Sequence, residues 1–138
     1  MGKEKIVYTL DSFAILSYLK GEKSAGQIKN LLQRAKKGTV ILYLHEINLG
    51  EVQYIIHRER GEQESEKIIA WLRACPIRFV GIEKKITSLA AKIKAVHPIS
   101  YADAFAAATA IQTKSQLVTG DPEMKSVESK VAVHWIEK

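Results

Sequence analysis

Thr39-Val40-Ile41-Leu42-Tyr43-Leu44 is an apolar run with no polar alternation, and its reading decides the fold. A strand with one wet face alternates apolar and polar residues. A strand covered on both faces does not, and such covering belongs to parallel sheets. Before the run, Ala25–Lys37 has apolar residues at 28, 31, 32 and 35, a helical period, and is closed by Gly38. After it, Ile47–Arg60 is apolar at 49, 52, 55 and 56 and stops at Gly61. The same alternation extends outward in both directions. Ile6–Leu10, Ile77–Ile82, Gln116–Thr119 and Val131–Ile136 are expected strands. Ser12–Lys20, Glu62–Ala74, Glu83–Val96 and Ser100–Lys114 are expected helices, with breaks at Gly21, Pro76 and Pro98. Strands separated by helices imply βαβ units. The expected fold class is therefore α/β, a three-layer α/β/α sandwich with a central parallel sheet of about five strands.

Length and composition bound the function. A chain of 138 residues is expected to be one domain, 1–138. Its 46 % hydrophobic and 26 % charged residues match ordinary globular proteins and argue against disordered or fibrous classes. Cys75, the only cysteine, cannot form an internal disulfide and sits in no metal-type spacing, so a reducing cytoplasm is expected. No apolar run reaches the length of a membrane span, and Met1–Ile6 has no apolar segment behind a basic one; no membrane association and no leader are expected. Lys and Arg outnumber Asp and Glu by 21 to 15, a net charge of +6, which suits a polyanionic partner.

Four acids stand out. In open α/β sheets, ligands bind beyond the carboxyl ends of the strands. Asp11 ends the first strand and Asp121 follows the fourth. Each also suits a helix N-cap, and Pro122 strengthens that reading for Asp121. Glu51 has Ile47, Asn48, Tyr54 and Ile55 at helical neighbour positions, none of them a cation that would pair with it. It is either solvated or held by another group. Asp103 is the one charge between Pro98 and Lys114; it fits a capping box with Ser100, and equally a polar site at the start of an alanine-rich helix. Four converging carboxylates could not all stay ionised unaided. A hard divalent cation, Mg²⁺ or Mn²⁺, would resolve that conflict with oxygen ligands alone. Inside a basic surface, such a pocket suits hydrolysis of a phosphodiester.

Four segments carry a family resemblance. They are Val7-Tyr8-Thr9-Leu10-Asp11-Ser12, Asn48-Leu49-Gly50-Glu51-Val52, Ile99-Ser100-Tyr101-Ala102-Asp103-Ala104-Phe105-Ala106-Ala107-Ala108 and Leu117-Val118-Thr119-Gly120-Asp121. In order and spacing they resemble the signature blocks of PIN-domain ribonucleases, most of all the VapC-type toxins of toxin–antitoxin pairs. The resemblance implies that Asp11, Glu51, Asp103 and Asp121 form the catalytic, metal-binding quartet of an Mg²⁺- or Mn²⁺-dependent endoribonuclease. It implies supporting roles for Ser12, Asn48 and Thr119, an RNA substrate, an antitoxin partner and a homodimer. One departure is Gly120-Asp121-Pro122, where many relatives have a polar residue before the aspartate and no proline after it. A housekeeping nuclease of RNA processing and a non-catalytic RNA-binding or scaffolding module remain as alternatives. A haloacid-type phosphatase would need an acid where Phe13 stands, a receiver domain would need paired acids near Asp11, and no GxGxxG or Walker loop is present. The four histidines, 45, 57, 97 and 134, are expected to be structural or superficial. Tyr43, Trp71, Phe79 and Trp135 are expected in the core.

Overall fold

A computed structural model describes residues 5–137. Five strands form one sheet: β1 (Ile6–Leu10), β2 (Val40–His45), β3 (Arg78–Val80), β4 (Gln116–Thr119) and β5 (Val133–Trp135). The order across the sheet is β3-β2-β1-β4-β5, and every pairing is parallel. The helices are α1 (Ser12–Leu19), α2 (Ala25–Lys36), α3 (Glu46–Arg60), α4 (Glu62–Ala74), α5 (Lys84–Val96) and α6 (Tyr101–Gln112), with a 3₁₀ helix at Pro122–Val127. The α/β/α sandwich expected from the apolar runs is present. The two outer strands are shorter than the sequence suggests, and the 3₁₀ helix gave no periodic signal. Among the described residues no helix is long and apolar enough to cross a membrane.

Two apolar clusters cover the two faces of the sheet. On one, Leu10, Leu42, Leu44 and Val118 meet Ala14, Ile15, Ile28, Val52, Ile56 and Leu72 from α1 to α4. On the other, Leu117 packs with Ile86 and Ile93 of α5, the alanines of α6, and Met124 and Val127 of the 3₁₀ helix. Ala104, Ala106, Ala107 and Ala108 are fully buried, so α6 lies within the molecule rather than on it. Small side chains on every side let its backbone approach the sheet and α5 closely. Phe79 and Tyr43, expected in the core, are only half-buried, Phe79 packing against the first cluster. Trp71 and Trp135 depart further from that expectation: they are 42 % and 36 % exposed. Trp71 stacks on Tyr18 at 5.7 Å between ring centroids, and Trp135 Nε1 donates to Glu128 at 3.3 Å, so each indole covers the surface edge of a layer.

β1 lies at the centre. The chain builds β2 and β3 to one side of it, then returns to place β4 and β5 on the other. The order of connection therefore reverses between β1 and β4, which opens a crevice beyond their carboxyl ends. His45 closes β2 on that edge. Its Nδ1 accepts the Ile47 N–H at 3.0 Å and caps α3, and burial holds its pKa below the ordinary imidazole value. That is the structural role expected of it.

Candidate metal centre

Asp11 sits at the mouth of the crevice, 1 % exposed. Its Oδ1 accepts the Ala14 N–H at 2.8 Å, so the capping reading is right. Capping uses only one oxygen. Oδ2 is buried with no hydrogen-bond partner. Burial pushes the Asp11 carboxyl up to about 7; the neighbouring Thr119 hydroxyl and the Ala14 N–H pull against this, and the charges of Asp103 and Asp121 add to it. A buried carboxylate oxygen without a donor is costly, and in native proteins it signals an absent ion, water or ligand.

Asp103 is in the first turn of α6. Ser100 caps that helix, its Oγ accepting the Asp103 N–H at 3.1 Å, so half of the expected capping box is formed. The Asp103 carboxyl is pushed up to about 6, first by burial, with the Ser100 hydroxyl opposing and the charges of Asp121, Glu51 and Glu123 adding. Asp121 likewise does two things. Its Oδ1 accepts the Glu123 N–H at 3.0 Å and starts the 3₁₀ helix at Pro122, while its own N–H donates to Thr119 Oγ1 at 3.1 Å. The proline that departs from the family pattern thus forms the turn that aims Asp121.

The remaining polar residues hold these carboxylates in place. Ser12 donates its hydroxyl to Glu51 Oε1, joining the start of α1 to the second turn of α3. The buried Asn48 donates Nδ2 to the Ala102 carbonyl at 3.0 Å and fixes α3 beside the start of α6. Thr119, fully buried, supports the Asp121 backbone. Gly120 is required by space: a Cβ there would lie 2.5 Å from Phe13 Cε1 and 2.8 Å from the Ile136 carbonyl. Only a residue without a side chain lets β4 pass between α1 and the end of β5 to deliver Asp121.

All four acids of the expected quartet reach the same edge, but not equally. Among the described residues, Asp103, Asp121 and Glu123 each offer a carboxylate oxygen within 4.8 Å of the others. Asp11 is coupled to Asp103 and Asp121 through charge, and Glu51 to Asp103. Glu123 is an addition that sequence reading did not single out. The donor set consists of carboxylates, with no thiol or imidazole in the group of three. Three clustered carboxylates, with the orphaned Asp11 oxygen beside them, fit a hard divalent cation such as Mg²⁺ or Mn²⁺ rather than zinc.

Residues 8–130 match the family described as PIN domain. Among curated proteins none matches significantly. Several solved structures share the fold. A chain of VapBC2 from Rickettsia felis, crystallised with a DNA fragment from its promoter, has a TM-score of 0.75 at 17 % identity, over 96 % of this chain and 100 % of that one. A chain of VapBC-1 from nontypeable Haemophilus influenzae has a TM-score of 0.69 at 18 % identity, covering 96 % and 98 %. VapC20 of Mycobacterium tuberculosis, described as a sarcin-ricin loop cleaving toxin, has a TM-score of 0.65 at 16 % identity, covering 91 % and 95 %.

Proposed function

Since the chain belongs to the PIN domain family, we propose that it is a divalent-metal-dependent endoribonuclease, acting in the cytoplasm as the toxin of a toxin–antitoxin pair. The observation that carries this reading is the buried, unpartnered Oδ2 of Asp11, set at the switch point of the sheet beside the Asp103–Asp121–Glu123 group. The toxin assignment draws on the neighbours in fold: VapC20 is described as a toxin, another neighbour as a toxin–antitoxin complex, and another as a member of the VapBC family of toxin–antitoxin systems. It brings an antitoxin partner with it, and the resemblance adds pairing of two copies of this chain.

Asp11, Glu51, Asp103 and Asp121, joined by Glu123, would hold Mg²⁺ or Mn²⁺. When bound, such an ion supplies Lewis-acid polarisation of the phosphodiester and lowers the pKa of a water that attacks it. The protein's own contribution is placement. Ser12 holds Glu51 in one orientation, Asn48 locks α3 to α6, and Thr119 with Pro122 fixes the Asp121 backbone. Each acid is thereby set before substrate arrives, which lowers the reorganisation the reaction requires.

The deciding assay is cleavage of single-stranded RNA with Mg²⁺ or Mn²⁺, with EDTA, and with Asp103→Asn. The expected result is cleavage that EDTA abolishes and that the Asn variant loses. Normal cleavage by Asp103→Asn, or cleavage undisturbed by EDTA, would remove this reading. The toxin assignment is tested separately: growth of a heterologous bacterium should stop on expression of the wild type and continue with the Asn variant.

A further inference from the structure

Glu51 shares its helix face with a feature that the metal centre does not use. Tyr54 and Arg58 follow at i+3 and i+7, a spacing that keeps all three side chains along one side of α3. Tyr54 is 46 % exposed, and the Arg58 guanidinium carbon lies 4.9 Å from the centroid of its ring. This is cation–π geometry, which pre-orients the guanidinium against a flat apolar surface. Three cations on or bonded to α3 are engaged: Lys20 pairs with Glu59 at 3.1 Å, Arg73 with Glu46 at 2.7 Å, and Arg60 donates to the Leu19 carbonyl at 3.4 Å. Arg58 has no carboxylate partner among the described residues.

The charge along α3 changes sign. Glu51 stands at the acidic edge of the sheet, and the last turn carries His57, Arg58 and Arg60, with Glu59 between the arginines held by Lys20. From Glu51 to Arg58 the helix advances about 10 Å, at roughly 1.5 Å per residue. A polyanionic strand that meets carboxylates at one point needs cations beside them to remain bound. It also gains from an aromatic surface that stacks any base, independently of sequence.

We propose that the Glu51–Tyr54–Arg58 face of α3 is the track for the single-stranded RNA flanking the cleaved bond, with Tyr54 stacking a base and Arg58 pairing with a neighbouring phosphate. This deepens the ribonuclease reading and rests on it. The two residues act differently, and the difference can be measured. A guanidinium on a phosphate releases counterions, so removing it flattens the salt dependence of binding. Removing a stacking ring weakens binding and leaves that dependence intact.

The test is fluorescence anisotropy with a labelled single-stranded RNA of mixed sequence, with Ca²⁺ in place of the catalytic ion, across a range of KCl. Wild type, Arg58→Gln, Tyr54→Ala, Tyr54→Phe and Arg34→Gln, a charge control on α2, are compared. Arg58→Gln should lower the slope of log K against log salt by about 0.7, the value for one phosphate of a single strand. Tyr54→Ala should weaken binding about 5- to 150-fold with the slope unchanged, the range for one lost stacking contact. Tyr54→Phe and Arg34→Gln should match wild type. Wild-type affinity and slope in both Tyr54→Ala and Arg58→Gln would overturn this inference alone, provided the wild type cleaves RNA with Mn²⁺. A wild type that neither binds nor cleaves RNA would overturn the ribonuclease reading and this inference together. Should sedimentation show that Tyr54→Ala loosens self-association without changing RNA affinity, the face belongs to an interface between copies, and the proposal falls.

Discussion

The two ends of α6 carry polar clusters of opposite character. At its last turn, Thr9 Oγ1 lies 2.6 Å from Ser115 Oγ, Ser115 lies 2.8 Å from Thr113 Oγ1, and Thr109 and Thr113 donate to carbonyls one turn back at 2.7 Å each. That cluster is neutral, and its hydroxyls satisfy one another. At the first turn, Asp103 faces Asp121 and Glu123, Asp11 leaves one oxygen orphaned, and both buried carboxyls resist ionisation. The same helix thus ends in a network that completes itself at one end and in one that requires something added at the other. A satisfied network contributes stability; an unsatisfied one stores a cost that a ligand can relieve.

This contrast can be broken from either side. The largest effect is expected at the acidic end. Asp11→Asn keeps the shape and removes the charge, so RNA cleavage should fall about 100-fold or more. The metal-free variant should nevertheless melt at a higher temperature than wild type at pH 8, by calorimetry. A lower melting temperature would mean that the buried charge is compensated within the chain. Next in size is the response to metal. An ion that binds only the folded protein should stabilise it by about 2.7 kcal/mol at one hundred times its dissociation constant, seen as a rise in Tm with Mn²⁺ that EDTA reverses. The Asp11→Asn and Asp103→Asn variants should show less of it.

The pH dependence has a definite sign. Asp11 and Asp103 titrate near 7 and 6 in the folded chain, against an ordinary aspartate value of 3.8. Folding therefore favours their protonated forms. The stability they contribute is complete below about pH 4 and is lost as pH rises through 6 and 7. Metal-free wild type should lose Tm between pH 5 and pH 8, and the double variant Asp11→Asn, Asp103→Asn should lose much less over the same window. The smallest effect belongs to the neutral end. Thr9→Val should cost about 1 kcal/mol by urea unfolding, the scale of one buried hydrogen bond, and leave cleavage at the wild-type rate. A loss of cleavage there would show that the two clusters communicate through α6.

Much of this architecture was legible because it depends on local pattern. Unalternating runs such as Val40–Leu44 report a sheet covered on both faces, and Asp11 and Asp121 stand where such a sheet opens. What escaped the sequence depends on tertiary distance. Glu123 reaches Asp103 only because a 3₁₀ turn, too short for a periodic signal, folds it back; the cue was its place two residues after Asp121, in Asp-Pro-Glu. In the sequence, capping and metal binding look like rival roles for Asp11, yet a carboxylate has two oxygens, and the structure gives one to the cap and leaves the other free. Trp71 and Trp135 are more exposed than their apolar patterns suggest, because helical or strand period reports which face a residue is on, not whether the layer extends far enough to cover an indole.

The central place of β1 also bears on how the chain is made. Its partner β4 comes late: Thr9 and Ser115, in contact across the two strands, are 106 residues apart in the sequence. During synthesis Asp11 leaves the ribosome long before Asp121, so one edge of the central strand waits for β4. Pairing of this kind is slow, because a long loop must close before any contact repays it. On the proposed activity, this order of assembly is a safeguard. A nascent chain surrounded by the RNA that encodes and translates it lacks the second half of its cutting edge, and becomes dangerous only once Asp103 and Asp121 have emerged and β4 has paired.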